Sequence, residues 1–168
     1  MKILSILIFT MLSFVAVGKE EYISYKELTR GMKPSEAYVA GANKFIDYLS
    51  VNEIYACKFM VGFTYSAHLK KMREILRADL KERQDKGELT SVQTQKILSA
   101  SDQDIMFNIC VEMGVGSEAT SERASLDNIS KELIKETKAF FRAKFPDGSE
   151  RTVLMKKEDE VWKVAAIK

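Results

Sequence analysis

Side chains able to do chemistry are sparse in this sequence and scattered along it. His68 is the single histidine, and it sits beside Leu69 and Met72 near the apolar side of a long helical pattern. A general base needs a partner within hydrogen-bond reach, so a lone imidazole there reads as structural. One histidine and two cysteines are also too few for a usual four-ligand zinc set. Asp102-Gln103-Asp104 lacks the glycine and the bidentate glutamate of a calcium loop. Acids in a first helical turn, favoured by the dipole, explain it. Gly114-x-Gly116 follows a helix rather than a strand and is too short to cradle a phosphate. No Gly-x-Ser-x-Gly elbow, Ser-x-x-Lys motif or catalytic cysteine–histidine pairing occurs. Catalytic, cofactor-binding and metal-binding residues are therefore assigned as none, and no cofactor is expected.

What remains is aromatic and basic. Tyr38, Tyr65, Phe141 and Trp162 are candidates to line a pocket, or to pack a core with their polar tips wet. For Trp162, on the last strand, the core reading is favoured. Lys138, Phe140 and Arg142 alternate along one strand face together with Lys144. An aromatic among cations on an outer face marks a candidate contact surface, against the alternative of a plain solvated face.

The two cysteines take their meaning from the first residues. Lys2, the apolar run Ile3–Val15 and the small-residue ending Ala16-Val17-Gly18 have the grammar of a cleavable secretory signal over residues 1–18. The run is shorter than a spanning helix requires, so no stable membrane anchor is expected after cleavage, and the expected location is periplasmic or secreted. In an oxidising compartment Cys57 and Cys110 are expected to form one disulfide. The chain carries 26 basic and 24 acidic residues, a formal net charge of +2. That balance has no nucleic-acid signature.

Residues 19–33 read as a loose lead-in with at most one helical turn, and residues 34–168 as a single α+β domain. Pro34 opens a helix with Tyr38, Ala42, Phe45, Ile46 and Leu49 on one stripe. A second helix is predicted from Asn52 to Lys86. Its apolar line runs Ile54, Val61, Tyr65, Leu69, Met72, Leu76 and Leu80, and Lys70–Glu74, Asp79–Arg83 and Glu82–Lys86 pair at i, i+4. Gly62 is a site for a kink or a close backbone approach. Shorter helices follow over Ser91–Ser99 and from Ser101 through Met113. The last third changes to period two. Ala139–Phe145, a Pro146-Asp147-Gly148-Ser149 turn, Thr152–Lys156 and Val161–Ile167 predict an antiparallel meander of at least three strands.

That ending, A-F-F-x-A-x-F, P-D-G-S, V-L-M-K-K and Val161-Trp162-Lys163-Val164, with a Pro-Ser helix start at Pro34, carries a family likeness. It resembles the cone-shaped α+β superfamily typified by nuclear transport factor 2, in particular its small bacterial exported, lumazine-binding-like members. Glu160 stands where that signature has a glycine. The resemblance implies helices packed on a curled sheet, which in that superfamily often encloses an apolar cavity.

Two functions follow as expectations. The first is an exported, non-catalytic domain that binds a protein partner or self-associates. The alternative is a pocket protein for a small apolar ligand, or a cofactor-free isomerase or hydrolase of the same fold.

Overall fold

A computed structural model describes residues 21–112 and 122–168. The predicted export signal over residues 1–18, Met113 and the predicted helix terminator Gly114–Ser117 lie outside the described residues.

The fold is α+β and, among the described residues, runs through six α-helices followed by four strands: α1 (Tyr25–Thr29), α2 (Pro34–Val51), α3 (Glu53–Phe63), α4 (Ser66–Asp85), α5 (Ser91–Leu98), α6 (Asp102–Glu112), β1 (Ile129–Lys135), β2 (Lys138–Lys144), β3 (Glu150–Glu158) and β4 (Val161–Ile167). The strands form one antiparallel sheet in the order β1-β2-β3-β4. Alternation along β2 and β3 buries Ala139, Phe141, Ala143, Val153 and Met155 against Ala37, Tyr38 and Trp162. Gly148, at φ 79°, closes the β2–β3 hairpin, and Asp147 accepts the Ser149 backbone N–H at 2.9 Å.

β1 has no counterpart among the sequence predictions. Ile129-Ser-Lys-Glu-Leu-Ile-Lys is exposed along all but its first, half-buried residue and carries a bulge between Ser130 and Leu133, where Lys131 has φ 52°. A charged edge strand with a register shift shows no clean period.

The lead-in is not loose. Ser24 and Glu27 form a capping box on α1, and the Tyr25 side chain is buried. A Cβ at Gly41 of α2 would stand 2.7 Å from the Tyr25 ring, and one at Gly62 of α3 would stand 3.3 Å from its Cβ. Tyr25 thus fills a slot that two glycines open, and its hydroxyl donates to the Trp162 carbonyl. It draws the buried face of α2 round to Ala37, Tyr38, Gly41 and Tyr48, leaving Ala42, Phe45, Ile46 and Leu49 half-buried.

The predicted long helix is two. It breaks at Thr64 and Tyr65, both extended, where Thr64 bridges to Val164 and the Tyr65 N–H donates to the Val164 carbonyl at 2.9 Å. The break changes the helical phase, so Ile54 is exposed while Ala56, Cys57 and Phe59 are buried. Of the predicted charge pairs Glu82–Lys86 forms, at 2.6 Å, whereas Arg83 turns to Glu88 at 3.3 Å. Cys57 of α3 and Cys110 of α6 are joined by a disulfide with Cα atoms 5.6 Å apart. Among the described residues no helix is long and apolar enough to cross a membrane.

Candidate functional site

The sheet has one covered face and one bare one, and the strand register decides what the bare face presents. Residues directly opposite in adjacent strands share a face. Lys135 pairs with Lys138, Lys138 with Lys156 and Lys156 with Lys163, so four lysines form one row across all four strands. The next row is Leu133, Phe140, Leu154 and Ala166. Beyond it lies a row of Ser130, Arg142 and Thr152, continued by Lys168, which exchanges both backbone hydrogen bonds with Thr152, and then Lys144 opposite Glu150. None of these side chains is buried, and Leu133 is 53% exposed. Lys138, Phe140 and Arg142 are therefore three successive rungs of β2: one in the cation row, one in the apolar row and one on the far side.

Like charges directly opposite are unfavourable in a sheet, so the lysine row costs stability unless something offsets it. Part of the offset is internal. Lys163 Nζ lies 2.7 Å from Glu158 Oε2 in a partly buried pair, and the Ser66 hydroxyl donates to the same carboxylate. Burial pushes the Glu158 carboxyl up, but the hydrogen bonds from Lys163 and Ser66, with the Lys163 charge, outweigh it and leave the group below the ordinary carboxylate range. Lys156 Nζ sits 4.9 Å above the Tyr65 ring. Among the described residues Lys135 and Lys138 form no ion pair, and Arg142 reaches only Glu150, at 4.0 Å. The face holds seven cations (Lys135, Lys138, Lys144, Lys156, Lys163, Lys168, Arg142) against the side-chain carboxylates of Glu150 and Glu158, in a chain whose net charge is only +2.

On the covered side Tyr38, Phe141 and Trp162 come together in one core cluster, with the Tyr38 and Phe141 rings 5.4 Å apart. Tyr65 does not join them. It is the N-cap residue of α4, half-buried at the margin of the outer face, because the α3–α4 break carries it past β4. Tyr38 also lines a cavity of about 410 Å³ between α2 and the end of β2, with Ile46, Ile129, Lys144 and Phe145. Its rim is held by Asn43, which exchanges two 2.9 Å hydrogen bonds with the Ala124 backbone. An ion pair between Arg123 and Asp47 adds to the rim. Burial pushes the Tyr38 phenol up despite the nearby Arg151 charge.

The remaining candidates fall elsewhere. His68 is exposed on α4. Asp102 stands 2.6 Å from Arg73 Nε as an ion pair between α6 and α4, and Asp104 accepts from the Ser101 hydroxyl at 2.5 Å at the start of α6. Among the described residues no three His, Cys, Asp or Glu side chains gather as a metal site requires. Sequence reasoning missed Leu133, Lys135, Leu154, Lys156 and Lys163 as part of the outer face. The alternation around Phe140 was visible, but its cross-strand neighbours depend on a register that the β1 and β4 bulges alter. No family model, curated protein or solved structure matches this chain.

Proposed function

We propose that this protein is an exported, non-catalytic domain that binds a protein partner on the outer face of its sheet. The observation that carries the reading is the cross-strand row of four lysines beside the apolar row of Leu133, Phe140, Leu154 and Ala166. A merely solvated face has no need of aligned apolar residues, and like-charged neighbours in register weaken it. Export rests on the N-terminal signal pattern, and the Cys57–Cys110 disulfide supports an oxidising compartment. Self-association through this face is disfavoured. Four lysines flank the apolar stripe on one side, and Arg142 and Lys168 stand on the other without an acid in either row, so two copies laid face to face bring cation onto cation.

The test places a photo-cross-linking residue at Leu133, on the stripe, and in a second variant at Ile75, exposed on α4. Both are expressed with the native N-terminus and irradiated in the periplasm. A discrete protein adduct from position 133 only, lost when Arg142→Glu is added, is expected. No adduct, or the same adducts from both positions, overturns the reading.

A second reading has one specific observation behind it: the cavity of about 410 Å³ under Tyr38, whose hydroxyl makes no hydrogen bond to another described residue. Apolar walls from Tyr38, Ile46, Ile129 and Phe145 suit a small apolar ligand, in keeping with the cavity of the resembled superfamily. A stoichiometric small-molecule adduct in native mass spectra of the exported protein, lost in Ile46→Trp, would favour it. A clean protein mass would count against it.

A further inference from the structure

Resting on the protein-binding reading, we propose that the partner docks through an acidic amphipathic segment, one helix wide. Its apolar residues cover Leu133, Phe140 and Leu154, and its carboxylates meet Lys135, Lys138 and Lys156.

The spacing of the rows sets the width. Adjacent rows are two residues apart along each strand, which is roughly 7 Å at the rise of an antiparallel strand. The lysine row and Arg142 therefore flank the apolar row about 14 Å apart. An α-helix with its side chains is about 10–12 Å across and fits between them. Four strands span about 14 Å in the hydrogen-bonding direction, the length of roughly ten helical residues. Charge complementarity sets the sign. Lys163 is already engaged by Glu158 and Lys156 lies over the Tyr65 ring. Lys135 and Lys138 make no ion pair with any described residue, and Phe140 lies beside them in the next row. Their strands occupy the half of the face farther from α4, so an incoming acidic segment reaches the least neutralised cations first.

An anionic bilayer is the competing surface, since lysines beside apolar side chains also suit lipid headgroups. The bilayer needs no acidic side chains and no fixed spacing between them, and a four-stranded sheet twists, which limits how much of the row a planar surface can meet at once.

The experiment uses the folded, oxidised protein, with backbone amide shifts followed by NMR. Three probes are titrated: a 14-residue helical peptide with a leucine stripe flanked by glutamates, the same peptide with glutamines, and vesicles containing 30% phosphatidylglycerol. The glutamate peptide is expected to shift amides of β1, β2 and β3, at least tenfold more tightly than the glutamine peptide. Lys138→Glu should weaken it about tenfold, while Lys81→Glu on α4 leaves it unchanged. Equal affinity for the two peptides, shifts confined to other surfaces, or binding to the vesicles alone each overturns the proposal. A discrete adduct at position 133 together with a silent peptide titration removes the acidic segment while leaving the protein-binding reading in place; loss of both removes the two together.

Discussion

Tyr25 and Glu160 show how much single positions decide in this molecule. The Tyr25 ring lies where a side chain on Gly41 would have to be: an added Cβ meets Tyr25 at 2.7 Å and Phe63 at 3.1 Å. Gly41→Ala is expected to destabilise by about 1–3 kcal/mol, the cost of overpacking a filled core. Gly62→Ala, with its nearest neighbour at 3.3 Å, should fall within about 0.5 kcal/mol of the parent, because improved helix propensity offsets the tighter contact. Chemical denaturation of the two variants side by side checks both. Asp159 and Glu160 form the two-residue β3–β4 turn with φ 50° and 64°, the left-handed conformation that such turns favour and that glutamate adopts at a cost. Glu160→Gly is expected to stabilise by about 1 kcal/mol, or roughly 3 °C in Tm. The lost contact with Lys157 is exposed on the Glu160 side, and such pairs contribute little.

At the scale of elements, the informative junction is the α3–α4 break against β4. Thr64 and Tyr65 leave the helix to bond with Val164, and Ser66 then reaches Glu158, which also holds Lys163. A carboxyl whose pKa is lowered by folding contributes stability above its unfolded value of about 4.3. That contribution is lost as pH falls through the lowered folded value. Glu158→Gln is therefore expected to lower stability by about 1 kcal/mol at pH 7, with the gap to the parent closing as pH falls below about 4. Thermal melts of the pair between pH 7 and pH 3 read this directly. A gap that stays constant with pH would mean that the junction does not depend on the carboxylate charge.

For the whole molecule, the disulfide ties α3 to α6. Cys57 and Cys110 are both buried and separated by 53 residues, a loop that contains all of α4 and α5. Closing a loop of that length is worth roughly 4 kcal/mol in the chain-entropy account. Reduction is expected to lower the unfolding free energy by about 2–5 kcal/mol. Hydrogen exchange should show protection falling first in α4, α5 and α6, which the bridge anchors, while β2 and β3 retain theirs. Uniform loss across helices and sheet would instead mean that the fold opens as a single unit.

Much of this architecture is determined locally and so could be read along the chain. Pro34 sets a helix start, Ala139 to Phe145 alternate at strand period, and Pro146-Asp147-Gly148 can only turn. The cysteine pair also followed, because the N-terminal pattern reads as an export signal, and that reading leads to the expectation of an oxidising compartment; the structure joins Cys57 to Cys110. Four features belong to tertiary structure. β1 exists because β2 offers it a hydrogen-bonding edge, not because its own charged residues prefer a strand. The long helical pattern breaks at Thr64 because Val164, a hundred residues later, supplies partners that a continuing helix would forgo. Tyr25 is core because two glycines from different helices make room for it. The lysine and apolar rows of the outer face arise from register alone: each residue is unremarkable on its own strand, and only the pairing of four strands lines them up.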